Sequence, residues 1–181
     1  MSQKRDMGQP APGTRRMDDR PVYCLHNMSQ AITILVGLPG SGKTWFLKQH
    51  SDVVFDDFHA CAFRNSPAIT ASRHYGALRN ALQQGKNCII ADIAYCSEDR
   101  LQAVQDGIRN LAGELNIGLE IQCLYFANDV NACRHNVVHR YSQEPERDYL
   151  TELRSIDEFS KSYAPPPGCR PVQTCCRGAT K

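Results

Sequence analysis

Residues Gly37, Leu38, Pro39, Gly40, Ser41, Gly42, Lys43 and Thr44 satisfy the spacing G-x-x-x-x-G-K-[ST] of a phosphate-binding loop. Backbone N–H groups must close around polyphosphate oxygens, and side chains at the glycine positions would block that approach. Lys43 is then placed to reach the β and γ phosphates, and the Thr44 hydroxyl to ligate a Mg2+ that bridges them. The flanks support the motif. Ala31-Ile-Thr-Ile-Leu-Val36 is short, β-branched and apolar, as a strand buried on both faces should be, and Trp45 to His50 carries no helix breaker.

Carboxylates follow at two further points where an apolar run ends. Asn87-Cys-Ile-Ile-Ala-Asp92 closes on Asp92, the place of a carboxylate that holds Mg2+ directly or through water. The next residue is Ile93 and not Glu, which favours transfer to a bound acceptor over hydrolysis. Asp52-Val-Val-Phe-Asp-Asp57 ends in two carboxylates able to position an acceptor hydroxyl and take its proton. Neighbours on a strand face opposite sides, so Asp56 is assigned as the base and Asp57 as a metal or substrate contact.

Arg134, Arg140 and Arg147 lie in and after a helical stretch, as charge-stabilising residues of a closing segment would. For each of them a surface ion pair is the competing reading. Arg100, one turn into another helix, either reaches the substrate cleft or faces water. His135 and His139 are four apart, but no Glu intervenes as in H-E-x-x-H, so the pair is read as incidental to metal binding.

These residues need elements to hold them. Ala71, Tyr75, Leu78 and Leu82 mark one face of a helix that Gly85 ends. Ser97 serves as N-cap, with Glu98 and Asp99 in the first turn, for a long helix whose buried stripe is Leu101, Val104, Ile108, Leu111 and Leu115. Leu119 to Phe126 reads as a fourth strand. A helix follows from about Asp129 to His139, with Val130, Cys133, Val137 and Val138 inward, and another spans about Leu150 to Tyr163. Pro165-Pro-Pro-Gly168 stops that helix, and Pro171 to Cys175 is expected as a last edge strand. Strands alternating with helices predict an α/β fold, a parallel sheet covered on both faces.

The chain of 181 residues suits one domain, taken as residues 29–176, with a lid around 134–148 and a tail at 177–181. Residues 1–28 are polar and Pro/Gly-rich, and read as a disordered or leader segment. No secretory or membrane-spanning pattern is recognisable, so a cytoplasmic protein is expected. The nine cysteines form no C-x-x-C pair, and reduced thiols are expected. A zinc site from Cys169, Cys175 and Cys176 fits no standard spacing, and the last two read better as a strand end. The net charge of +2 comes from the ends: residues 29–168 hold 13 basic against 16 acidic side chains. That weakens the electrostatic case for long nucleic acid, although a nucleic-acid end remains a possible acceptor.

Together these features resemble the P-loop kinase superfamily, and within it the small polynucleotide-kinase-like and zeta-toxin-like phosphotransferases. The likeness spans about Ile32 to Tyr163 and rests on Gly37–Thr44, the Asp56-Asp57 strand end, Ile-Ile-Ala-Asp92, Arg100 and Cys133-Arg-His-Asn-Val-Val-His-Arg140. It implies a three-layer fold with a five-stranded sheet in the order 2-3-1-4-5, ATP with Mg2+, an aspartate base after strand two, and lid arginines. The chain departs from the family's C-x-x-R-N-x-x-R lid pattern, with His135 where Arg is expected and Arg140 one place late. Asp92 is followed by Ile-Ala and not by Thr-Asn, which leaves the acceptor pocket unassigned. The function so implied is γ-phosphoryl transfer from ATP to a hydroxyl of a nucleotide, nucleic-acid end or small metabolite. The alternative is an ATP-binding switch without transfer. A GTPase is disfavoured, because no N-K-x-D motif follows the fourth strand.

Overall fold

The computed structural model describes residues 30–59, 68–146 and 148–174. The expected leader, the tail, Arg147, Cys175 and Cys176 lie outside them. Four parallel strands, β1 (Gln30–Val36), β2 (Val53–Phe55), β3 (Cys88–Ala91) and β4 (Leu119–Tyr125), form one sheet in the order β2-β3-β1-β4. The helices are α1 (Lys43–Leu47), α2 (Tyr75–Gln83), α3 (Glu98–Leu115), α4 (Val130–Tyr141) and α5 (Tyr149–Phe159). No helix among the described residues is long and apolar enough to cross a membrane.

β1 lies between β3 and β4, and its alternation sorts the core. Ile32, Ile34 and Val36 face one side, where they meet Leu78 and Leu82 of α2, Val104, Ile108 and Leu111 of α3, Cys133 and Val137 of α4 and Ile156 of α5. Leu35 points the other way, with Ile89 and Ala91 of β3, onto Phe46 and Leu47 of α1 and onto Phe126. Helices therefore cover both faces. Since the strands run parallel, Val36, Phe55 and Ala91 all end on one edge of the sheet, which puts Gly37, Asp56 and Asp92 close together.

Three expectations need correction. The edge strand over 171–175 shrinks, among the described residues, to one parallel bridge between Phe126 and Arg170, held by Arg170 N–H to Tyr125 O at 2.8 Å and Ala127 N–H to Arg170 O at 2.7 Å. The ladder goes no further because the chain after Ala127 leaves the sheet for α4, whose N-cap is Asp129. Val138, expected inward on α4, is 52% exposed. The buried face is Ala132, Cys133, Asn136 and Val137, and one further residue turns the helix by about 100° out of contact.

The helical segment expected to reach Tyr163 ends at Phe159, and the chain beyond it folds onto the sheet. The buried Tyr163 hydroxyl lies 3.1 Å from Val36 O and also against Phe126 O, at the ends of β1 and β4. Asn128 Nδ2 donates to Ser160 O and Tyr163 O at 2.9 and 2.8 Å, fixing the same corner. Tyr163→Phe keeps the ring and removes the donor, and should cost about 1 to 2 kcal/mol. Urea unfolding checks this, and an unchanged midpoint and slope would show that the hydroxyl does not brace the strand ends.

Candidate phosphate-binding cleft

The loop leaves β1 at Gly37, turns through a Ser41 N–H to Leu38 O bond of 3.1 Å, and enters α1 at Lys43. Gly40 and Gly42 have φ of 75° and 103°, a region that residues with a Cβ rarely adopt. At Gly40 the need is double, because a Cβ there would stand 2.4 Å from the backbone carbonyl oxygen of Cys133 on α4. Helix α4 is thus seated directly on the loop. Asn136 secures the contact by donating from Nδ2 to Gly40 O and to Gln173 O, both at 2.8 Å.

Lys43 folds back over the loop and donates from Nζ to Gly37 O at 2.6 Å and Leu38 O at 2.9 Å. Burial holds this ammonium below its ordinary pKa, against the opposing influence of Cys96, Asp56, Cys133 and Asp92. The two thiols beside it are pushed up by burial, Cys96 to about 11 and Cys133 to about 12, so at neutral pH they carry protons and no charge. Ser41 is 2% exposed, and its Oγ has no hydrogen-bond partner.

At the ends of β2 and β3 the carboxylates separate by role. Asp56 accepts from Thr44 Oγ1 on Oδ2 and from the Asp57 N–H on Oδ1, each at 3.1 Å, which joins strand β2 to the phosphate loop. Asp57 is exposed and has φ 50°. Asp92 is buried and accepts the His59 N–H at 2.8 Å and the Ala94 N–H at 2.9 Å, so it pins the turn after β2 to the turn over Ile93–Cys96. It lies beneath the cleft and not on its lining.

The cleft measures about 990 Å³. All of Pro39 to Trp45, together with Asp56, Asp57 and Arg140, line it. Arg134 and Arg100 do not. Arg134 pairs with Asp157 on α5, both half-exposed, and Arg140, at the rim, pairs with Glu152, also on α5. Two of the arginines expected in a lid, Arg134 and Arg140, are therefore engaged across an α4–α5 hairpin, because α5 runs back along α4 with acidic residues facing them. Asn136 is the residue that sequence reasoning missed. It lies within the Cys133–Arg140 segment, but its partners are 96 and 37 residues away and leave no local pattern. No group of three or more His, Cys, Asp or Glu side chains arranged to hold a metal occurs among the described residues.

A parallel α/β sheet whose central strand feeds this loop defines a P-loop domain of the kinase superfamily. The chain belongs to the AAA_33 family, described as an AAA domain, whose profile matches residues 32–166. Similar solved structures include one from the characterisation of the PezAT chromosomal toxin-antitoxin system of Streptococcus pneumoniae, 18% identical, with 74% of this chain and 65% of that chain covered at a TM-score of 0.39. Another is APE1195, 17% identical over 80% of this chain and 84% of that chain, at a TM-score of 0.36. The chain thus spans just under two thirds of the length of the first of these. No curated protein matches it.

Desolvation raises the Asp57 carboxyl above its ordinary value of 3.8, with the neighbouring Asp56 and Asp92 charges adding to the effect. The folded state then holds this proton more tightly than the unfolded chain, so ionising Asp57 lowers stability as pH rises from about 4 through the folded-state value. Asp57→Asn keeps the side-chain shape, tolerates positive φ and removes the penalty. Its melting temperature relative to the wild type should therefore climb between about pH 4 and pH 7. A gap that stays flat across that range would show that Asp57 carries no such strain.

Proposed function

We propose that the chain is an ATP-dependent kinase that, with Mg2+, transfers the γ-phosphoryl group to a hydroxyl of a nucleotide, a nucleic-acid end or a small metabolite. One observation carries this reading. The 3.1 Å bond from Thr44 Oγ1 to Asp56 Oδ2 brings the hydroxyl of the phosphate loop and a strand-end carboxylate together in one cleft.

The donor set fits the ligand. Ser41 Oγ is buried without a partner, and Lys43 Nζ meets carbonyl oxygens only, so phosphate oxygens would satisfy both. Thr44, Asp56 and Asp57 present the hard oxygen donors that suit Mg2+, and Asp92 adds negative charge from below. When bound there, Mg2+ would supply positive charge that offsets the charge on the phosphoryl group in transit. Asp56 orients the acceptor hydroxyl and takes its proton as the new P–O bond forms and the bond to the ADP oxygen breaks. Asp57 meets the acceptor beside it. Arg140 reaches the phosphates by exchanging Glu152 for them, whereas Arg134 and Arg100 would need the elements that carry them to move.

The same ion pairs favour a second reading, an ATP-binding switch whose hairpin answers to nucleotide without transfer. The two diverge on mutation. A kinase with Asp56→Asn should keep ATP affinity within a few-fold and lose acceptor-dependent turnover by about 10² to 10⁴. Lys43→Ala should abolish ATP binding by calorimetry while the ligand-free protein still unfolds cooperatively. Wild-type protein that binds ATP yet turns over no hydroxyl acceptor from a broad panel would exclude the kinase and leave the switch.

A further inference from the structure

Trp45, the single tryptophan of the chain, is 59% exposed and lines the cleft one residue after Thr44. A large apolar ring held open to water beside a polar site is a surface that burial would stabilise. Nothing in the transfer chemistry uses it. It faces out of α1, away from the buried Phe46 and Leu47, and Lys48 and Gln49 in the turn after the helix line the cleft with it.

The neighbours of Trp45 set its position. Thr44 turns to Asp56, the acceptor end under the reading proposed above, while Phe46 turns to Phe126 and lies under the Arg170 guanidinium at 4.8 Å. Trp45, on the other side of α1 from Phe46, follows Thr44 directly and lines the cleft together with Lys48 and Gln49. A triphosphate gripped by the loop with its γ end toward Asp56 would send its nucleoside out past the exposed side of α1, which carries Trp45. The other large aromatic side chain on the lining, Phe126, is 4% exposed and has its ring against Phe46. The available π face belongs to Trp45.

We infer that Trp45 is the stacking platform for the nucleobase of the bound nucleotide, a subsite that rests on the phosphate-loop reading but is separable from it. Stacking on an indole tolerates any base, so Trp45 supplies affinity, and the choice among bases falls to polar groups around it. The side chain is exposed, so its replacement should leave the fold intact.

Because the chain has one tryptophan, its emission reports this contact alone. ATP with Mg2+ should quench Trp45 fluorescence in a saturable way, and inorganic tripolyphosphate, which has no base, should bind without doing so. Trp45→Ala should weaken ATP binding by about 10- to 100-fold and leave tripolyphosphate binding unchanged, with Trp45→Phe much closer to the wild type. Calorimetric ATP binding with unaltered emission, and with full affinity in Trp45→Ala, would overturn the platform and spare the nucleotide site. Quenching produced by an acceptor but not by ATP would equally overturn it. Absence of binding by either ligand would remove the phosphate-loop reading and the platform with it.

Discussion

The cleft depends on one close approach, that of the phosphate loop to helix α4. A Cβ at Gly40 would meet a helix carbonyl at 2.4 Å, and backbone of that kind cannot swing aside as a side-chain tip can. The left-handed φ of Gly40 would cost any other residue roughly 1–2 kcal/mol more. Asn136 converts proximity into attachment, since its amide donates to the loop and to the segment beyond the Arg170 bridge. Loop, helix and C-terminal segment therefore share one geometry, and the hairpin formed by α4 and α5 takes its position from the loop that it overhangs.

Charge around the loop is arranged less obviously. Lys43 is desolvated, and the groups packed nearest to it include two thiols that stay protonated. Its hydrogen bonds go to carbonyls, which offer only partial negative charge. Such an ammonium is poorly compensated until an anion arrives, and charge-assisted bonds to phosphate are stronger than those to carbonyls. The carboxylates sit farther along the strand ends. Asp92 spends both oxygens on backbone amides, and by holding the turn after β2 it fixes where Asp56 can stand.

Local pattern made much of this legible. The glycine spacing, the β-branched run before it, and the stripe of α3 are each contained in a short window, and each reappears in the structure. What the sequence hid is non-local. Nothing near Asn136 marks a contact 96 residues away, and nothing near Arg134 shows that Asp157 will lie opposite. Val138 looked inward because it is apolar, yet Asn136 and Val137 already span the buried arc of α4 and the next residue lies about 100° past its edge. The fifth strand is reduced to the Phe126–Arg170 bridge, because the chain after Ala127 turns into α4 and leaves no partner strand to pair with.

The hairpin is held unevenly along its length. Asn136 ties the middle of α4 to the loop by one bond and to Gln173 by another, whereas α4 and α5 meet through ion pairs on either side of it and through the Tyr141–Tyr149 ring pair. Arg134–Asp157, half-exposed, stabilises by about 0 to 1 kcal/mol. Arg140 lies one turn past Asn136, and its partner Glu152 lines the same cleft. Exchanging that carboxylate for a phosphate keeps an anion against the guanidinium throughout, so the step costs far less than uncovering a buried charge. The glycine contact beneath Asn136 and the Arg140–Glu152 pair at the rim are thus held by different kinds of interaction, one of backbone packing and one of exchangeable charge.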